Sequence, residues 1–412
     1  MSTIRPFRAV RPQKEYAAQV AALPYDVMNS AEARVKVQGN PLSFLHVDKA
    51  EVDLPEGVDL YSDAVYAKAA ENLQKLSEEG ICLKEDAPKL YLYRQRWNGV
   101  EQTGVVGCAS VDDYLNGVIK RHELTRADKE EDRIRHVDTC NANTGPIFLA
   151  YRRSAAIDAV IDKYTALAPE YDFISEGDVK NTVWVINDPA DIAAVEEGFR
   201  GVGSLYIADG HHRAASAVKV ALKRRAANPG YTGDEEFNCF LAVCFRADEL
   251  KILDYNRLLK DTNGMTDEEL FAKLGQVFTI EKSDAPVKPA ARHTFGMFYK
   301  EQWYALTLKA GLCDESDAVG SLDVSLLQKL VNEPIFGIGD PRTDKRIDFV
   351  GGIRGLSELE KRCREDMVLA FSMYPTQLDE LMAIADAGAV MPPKSTWFEP
   401  KLLSGLFIHE LS

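Results

Sequence analysis

Long apolar runs are missing from this 412-residue sequence. No stretch approaches the ~18 apolar residues that a membrane-spanning helix needs. The opening MSTIRPFRAV likewise has none of the apolar core of a secretory signal. A cytoplasmic protein with no membrane partner is expected. Basic charge is scarce as well: 49 Lys and Arg stand against 64 Asp and Glu, a formal net charge of −15. Broad nucleic-acid binding depends on basic surface that displaces phosphate counterions, so no nucleic-acid partner is expected. The acidic balance suits a small-molecule substrate better. Cysteine is sparse, with 7 residues and no CxxC or other metal-type spacing, and reads as buried, reduced thiol. Low-complexity tracts and internal repeats are also missing, which argues against disorder.

What is present is an ordinary globular composition, 46% hydrophobic and 27% charged, in a chain long enough for two or three domains or one domain with large insertions. Strand-like and helix-like patterns alternate throughout. Val65, Ala69, Leu73 and Leu76 recur at helical spacing, with Gly80 placed to stop the helix. Asn29 and Ser30 are placed to cap a helix through Glu32 and Val35. Asn98-Gly99 between two apolar runs predicts a tight hairpin, because both residues tolerate positive φ. Leu42 to Val47 reads as a strand, and the polar run from Arg126 to His136 as a helix. The class is α/β or α+β with a mixed sheet. A change of texture near residue 262 divides the chain into domains 1–262 and 263–412.

The sharpest chemical signal is Asp209-Gly210-His211-His212-Arg213. It follows the strand-like Ser204–Ile207 and precedes an amphipathic helix marked by Ala214, Ala217, Val218 and Ala221. A helix that starts straight after a strand aims free N–H groups and a positive dipole end at whatever lies before it. Gly210 lets the backbone come close to a phosphate, and Arg213 offers a planar fork for its oxygens. Asp209 is suited to hold a magnesium ion or orient a hydroxyl, and the two histidines to move protons or donate to phosphate. The bland alternative is a helix capped by Asp209 with incidental histidines; five polar or glycine residues in a row disfavour it.

A second candidate is His122-Glu123-Leu124-Thr125. It resembles an HExxH zinc helix only superficially, since Arg126 occupies the position of the second ligand. Glu123 is placed to act as a general base, and Lys129 and Arg133, four apart on one helix face, to reach a phosphate or carboxylate. The alternative is a solvated, charge-laced helix. Arg257 in Tyr255-Asn256-Arg257 is a further phosphate contact or a strand-end ion pair. Pro392-Pro393-Lys394-Ser395-Thr396 lacks the glycine-rich loop of a P-loop, and the turn-rich Gly337–Arg346 reads as loop architecture. Pro24-Tyr25-Asp26-Val27 is a weak signal on its own. A metal site drawing on His46, His122, His211 and His212 ranks below the phosphate reading, because nothing in their spacing demands an ion.

Taken together, IRPFRAVRP, PYDV, SFLHVDKAE, RHELTRADKEEDR, ADGHHRAASA, DYNRLLKD and MPPKSTWFEPKLLSGL resemble a bacterial and archaeal family known as domain of unknown function number ten-fifteen. The resemblance runs from near residue 1 to about 408. The DGHHR turn itself is similar to the phosphate-binding turn of the ParB/sulfiredoxin-like superfamily, whose members include partition proteins, sulfiredoxins and free-serine kinases. Gly210, Arg213 and Ser216 fall on the partition-protein pattern, with Ala217 one place late. Asp209, Gly210, His211 and Arg213 fall on the serine-kinase pattern, with His212 in place of threonine. Sulfiredoxin's reactive cysteine is replaced by His211, and no helix-turn-helix follows.

This resemblance implies a ParB/sulfiredoxin-like nucleotide-binding core with large insertions and a C-terminal α/β domain. It also implies a magnesium-dependent phosphotransferase that uses ATP or ADP on a small hydroxylated metabolite, free L-serine first. In that scheme Asp209 holds metal or orients the hydroxyl, while Gly210, His211, His212, Arg213 and Ser216 hold phosphates. Glu123 takes the hydroxyl proton, and Lys129, Arg133 and Arg257 are outer phosphate contacts. The alternatives are a nucleotide-binding regulator without turnover and a hydrolase using the histidine pair. A homo-oligomer is left open.

Overall fold

A computed structural model describes residues 1–125 and 127–412, and of Asp128 the backbone alone. The chain folds as two units, Met1–Leu250 together with Pro400–Ser412, and Lys251–Glu399. Where the sequence suggested a single cut near 262, the chain leaves the first unit at 250 and its last residues return to it. Ile252–Leu253 pairs antiparallel with Trp397–Phe398, so the second unit begins and ends on neighbouring strands, as an inserted unit must.

The first unit is organised by a nine-stranded mixed sheet. Its strands are β1 (Ile4–Arg5), β2 (Leu90–Trp97), β3 (Val100–Ser110), β4 (Ile119–Lys120), β5 (Ile147–Tyr151), β6 (Tyr171–Ser175), β7 (Val179–Ile186), β8 (Leu205–Asp209) and β9 (Cys239–Arg246). They lie in the order β4-β8-β5-β9-β3-β2-β7-β6, with β1 added beside β3. Two pairings are parallel, β8 with β4 and β9 with β5. The other pairings are antiparallel. The hairpin joining β2 and β3 turns at Asn98 (φ +45°) and Gly99 (φ +77°), as that dipeptide predicts. Strand β9 is an unbroken apolar run from Cys239 to Phe245 and is buried along its length, the pattern of a strand covered on both faces.

Five helices matter for the site: α1 (Ser30–Lys36), α2 (Leu45–Asp48), α3 (Asp63–Glu78), α4 (Ala127–Cys140) and α5 (His211–Ala227). α1 is capped as expected, with Asn29 and Glu32 exchanging side-chain and backbone hydrogen bonds. α3 stops just before Gly80 (φ +70°). The helix expected from Arg126 is described from Ala127 onward, and Arg126 lies outside the described residues. Leu42 to Val47 is not a strand: it leads into helix α2 and then a 3-10 turn at Ala50–Asp53. Phe44, Leu45, Val47 and Asp48 are all buried there, which alternation in a strand cannot do against a single core. Among the described residues no helix is long and apolar enough to cross a membrane.

The second unit holds a six-stranded, wholly antiparallel sheet, including the expected hairpin of Thr294–Tyr299 with Gln302–Leu308. Helices Asp267–Val277, Leu356–Glu365 and Leu378–Asp386 accompany it. The protein as a whole is a mixed α/β chain.

One tight spot fixes the C-terminal segment in the first unit. Gly405 sits at φ +87°, and a Cβ there would lie 2.7 Å from the Phe44 ring. Gly405→Ala combines left-handed strain with overpacking and should cost about 2–4 kcal/mol. A urea midpoint unchanged from that of the parent protein would contradict this.

Candidate functional site

Strand β8 delivers Asp209 to the end of the sheet, and its pairing with β5 slips between Ile207 and Asp209. Gly210 follows at φ +88° and ψ +30°, a conformation open to glycine at little cost, and α5 begins at His211. The first backbone bond of the helix joins the Ala214 N–H to the Gly210 carbonyl at 2.9 Å. The N–H groups of His211, His212 and Arg213 therefore have no acceptor within the helix. Before the turn lies a small open hollow, lined by Asp209, Gly210 and Arg213 with Asp26, Leu402 and Ser404 among others.

Each cation at the turn is paired with a carboxylate. Lys401 donates to Asp209 Oδ2 at 2.7 Å, and the N–H of Gly210 donates to Oδ1 at 2.8 Å. Burial pushes the Asp209 carboxyl up, but the Lys401 ammonium and these hydrogen bonds overcome it, and the group stays below the usual carboxylate range. Arg213 donates through Nη2 to Asp48 Oδ2 at 3.0 Å and to Ser404 Oγ at 3.2 Å. Its guanidinium also lies over the Tyr25 ring at 5.2 Å, and that ring receives Arg133 as well, at 4.1 Å. Arg213 is thus held, yet it still borders the hollow. Gly145 makes room for it, since a Cβ there would meet Nη1 at 1.9 Å.

Asp48 is the anchor of this arrangement. It accepts from Thr144 at 2.8 Å, from Ser404 at 2.7 Å and from Arg213. Burial raises its carboxyl, but Arg213, then His136 and Arg133, draw it down to about 2. His136 is buried, with Nε2 3.1 Å from the Val47 carbonyl, and burial followed by repulsion from Arg133 lowers it to about 4.

At the start of α5 a second group assembles. The rings of His122 and His211 meet edge to face, centroids 4.5 Å apart at 89°. Glu123 Oε2 is 4.0 Å from His211 Nδ1. Burial lowers His122 to about 4 against the opposing pull of Asp209 and the nearby Ile207 carbonyl, and lowers His211 well below its ordinary value.

The sequence candidates divide accordingly. Asp209, Gly210, His211 and Arg213 are together at the turn, and Glu123 joins them through His211. Both oxygens of Asp209 are already engaged, one by an ammonium, so a cation bound there must displace Lys401. Ser216 is fully buried, with its hydroxyl donating to the carbonyls of His212 (2.7 Å) and Glu130 (3.2 Å), which places it at the contact of α5 with α4 rather than at the hollow. Lys129 and Arg133 do not reach out side by side. Lys129 meets the Tyr61 hydroxyl at 3.3 Å, while Arg133 is buried against Asp132 at 2.9 Å and stacks on Tyr25. Arg257 belongs to the second unit, where it is buried and donates to the carbonyls of Tyr255 and Lys394. Burial lowers it to about 10. His46 pairs with Asp53. Sequence reasoning missed Asp48, Lys401 and Ser404 as site residues. Their only signal was membership of SFLHVDKAE and MPPKSTWFEPKLLSGL, segments that carried a resemblance but no assigned role.

Residues 4–325 match the family described as protein of unknown function, DUF1015. The chain belongs to that family. No curated protein matches the sequence. Among solved structures, a free serine kinase in complex with AMP is similar at 15% identity and a TM-score of 0.34, covering 72% of this chain and 86% of that one. SbnI with a C-terminal truncation, from Staphylococcus aureus, is similar at 11% identity and a TM-score of 0.38, covering 73% and 85%. A conserved hypothetical protein from Pyrococcus furiosus is similar at 16% identity and a TM-score of 0.33, covering 74% and 94%. Likenesses this distant carry no function to a DUF1015 chain.

Proposed function

We propose that the first unit binds a nucleotide by its phosphates at the Asp209–Arg213 turn and transfers a phosphoryl group to the hydroxyl of a small metabolite. One observation carries the reading: the N-terminus of α5 and the Arg213 fork border one hollow, and the Lys401 ammonium sits on Asp209 in its lining. Phosphoryl transfer needs little else from a protein than positioning and charge stabilisation. Glu123, beside His211 at the start of the helix, is the carboxylate assigned to accept the hydroxyl proton. The choice of free L-serine as first acceptor rests on the Asp-Gly-His-x-Arg pattern alone. ATP or ADP is the donor class. Magnesium bound with the phosphates would neutralise their charge, and Asp26 and Asp209 in the lining of the hollow are the carboxylates that would hold it.

The test is a thermal-shift series with ATP, ADP, CTP and pyrophosphate, each with magnesium. A ligand at a hundred times its Kd should add about 2.7 kcal/mol and raise the melting temperature by several degrees. If none does so at millimolar concentration, the phosphate site is lost and the transfer reading with it. Where a nucleotide binds, assay of phosphoserine formation decides the acceptor.

A further inference from the structure

We propose that His122, Glu123 and His211 hold a divalent first-row transition ion of the zinc class. His122 is 2% exposed and, among the described residues, neither of its ring nitrogens makes a hydrogen bond of good geometry, the Ile207 carbonyl lying close by; His211 is 6% exposed and its Nε2 has no partner there either. Leaving a buried polar atom unsatisfied costs about 1–3 kcal/mol, and one nitrogen of each imidazole has a lone pair to give to a cation. One donor atom from each of the three side chains lies within 4.8 Å of the others. Bonds of about 2.0–2.2 Å to a shared ion require closer spacing, so binding would draw the three donors together, Glu123 coming from a loop with 40% of its side chain exposed.

The donor set selects the ion. Two imidazoles and one carboxylate suit Zn²⁺, Co²⁺, Fe²⁺ or Mn²⁺, whereas Mg²⁺ prefers oxygen alone. Three protein ligands leave a coordination position open, the arrangement of reactive rather than purely structural sites. The local sequence hides the set, because the second histidine comes from the β8–α5 turn and not from the helix that follows His122. The ion's role, though not its binding, rests on the phosphotransfer reading. At the open position it would bind the acceptor hydroxyl and lower its pKa, and the proton would pass to the Glu123 oxygen that does not ligate.

The experiment uses tag-free, full-length protein stripped with a chelator and titrated with Co²⁺ and Zn²⁺ without nucleotide, so that its outcome is independent of phosphate binding. The expected result is a visible Co²⁺ ligand-field band that Zn²⁺ bleaches and a rise in melting temperature. In Glu123→Gln, a change at a partly exposed side chain that should leave the fold intact, the affinity should fall more than about 100-fold, since even loss of an outer-shell partner costs 10–100-fold. His122→Asn should do the same. A protein that takes up no ion overturns the proposal. So does a stoichiometry that Glu123→Gln leaves unchanged, which would place the ion elsewhere, as at His293, Cys313 and Glu315.

Discussion

Asp48→Asn should destabilise the first unit by about 3–5 kcal/mol, the usual result of removing one partner from a buried ion pair. The Asp48 side chain is 1% exposed and that of Arg213 14%. The substitution strands a guanidinium whose other neighbours include the cationic Arg133. The urea midpoint should drop with little change in slope. An Asp48→Leu/Arg213→Met double variant should regain most of the loss, because an apolar pair of similar volume needs no counter-charge. The pH dependence has a definite sign. Asp48 is held at about 2, below the ~3.9 of an unfolded aspartate. Its contribution, about 2–3 kcal/mol, is therefore complete above that unfolded value and is lost as pH falls toward about 2. Asp48→Asn should flatten the acid limb in that window. Parallel acid limbs for parent and variant would show that this carboxylate is not what couples stability to pH.

The fold was legible where the signal is local. The Asn98-Gly99 hairpin, the α1 capping box and the Gly80 stop each depend on a few adjacent residues, and each stands where those residues put it. Sheet order was not legible. β8 lies between β4 and β5, and β9 between β5 and β3, and nothing in any one strand encodes those neighbours. The return of residues 400–412 to the first unit was hidden for the same reason, since it depends on contacts such as Ile408 with Val10 across nearly the whole chain. Leu42–Val47 shows the limit of periodicity: a short apolar run fits a strand and a buried helical turn equally well, and only its surroundings decide.

The same division holds at the site. The β8–Gly210–α5 turn is one contiguous segment, and its polar run between apolar stretches announced it. The groups that set its charge do not adjoin it. Asp48 reaches Arg213 from α2, while Lys401 and Ser404 come from the C-terminal segment. Ser216 was misplaced because a pattern match fixes spacing along the helix and not which face looks outward. Arg133 was expected to reach outward beside Lys129 because i,i+4 spacing puts both on one helix face, whereas Asp132 and Tyr25 hold its guanidinium in a buried position.

Glu123→Gln should reduce turnover by about 10²–10⁴-fold while leaving the nucleotide-induced rise in melting temperature in place. The side chain is 40% exposed, and Gln preserves its volume, so the stability of the ligand-free protein should move by no more than about 0.5 kcal/mol. Binding without turnover in the variant, against both in the parent, separates an enzyme from a nucleotide-responsive regulator, which would show the thermal shift and no product in either. Two roles of the carboxylate remain to be told apart, and metal supply does it. If Glu123 acts only as a ligand, saturating Co²⁺ or Zn²⁺ should restore the variant's rate, because mass action compensates a weakened site. If its free oxygen also takes the hydroxyl proton, the ion will reload and the rate will stay low. The proton must then leave to solvent, and the rate of the reloaded variant should rise with pH more steeply than that of the parent.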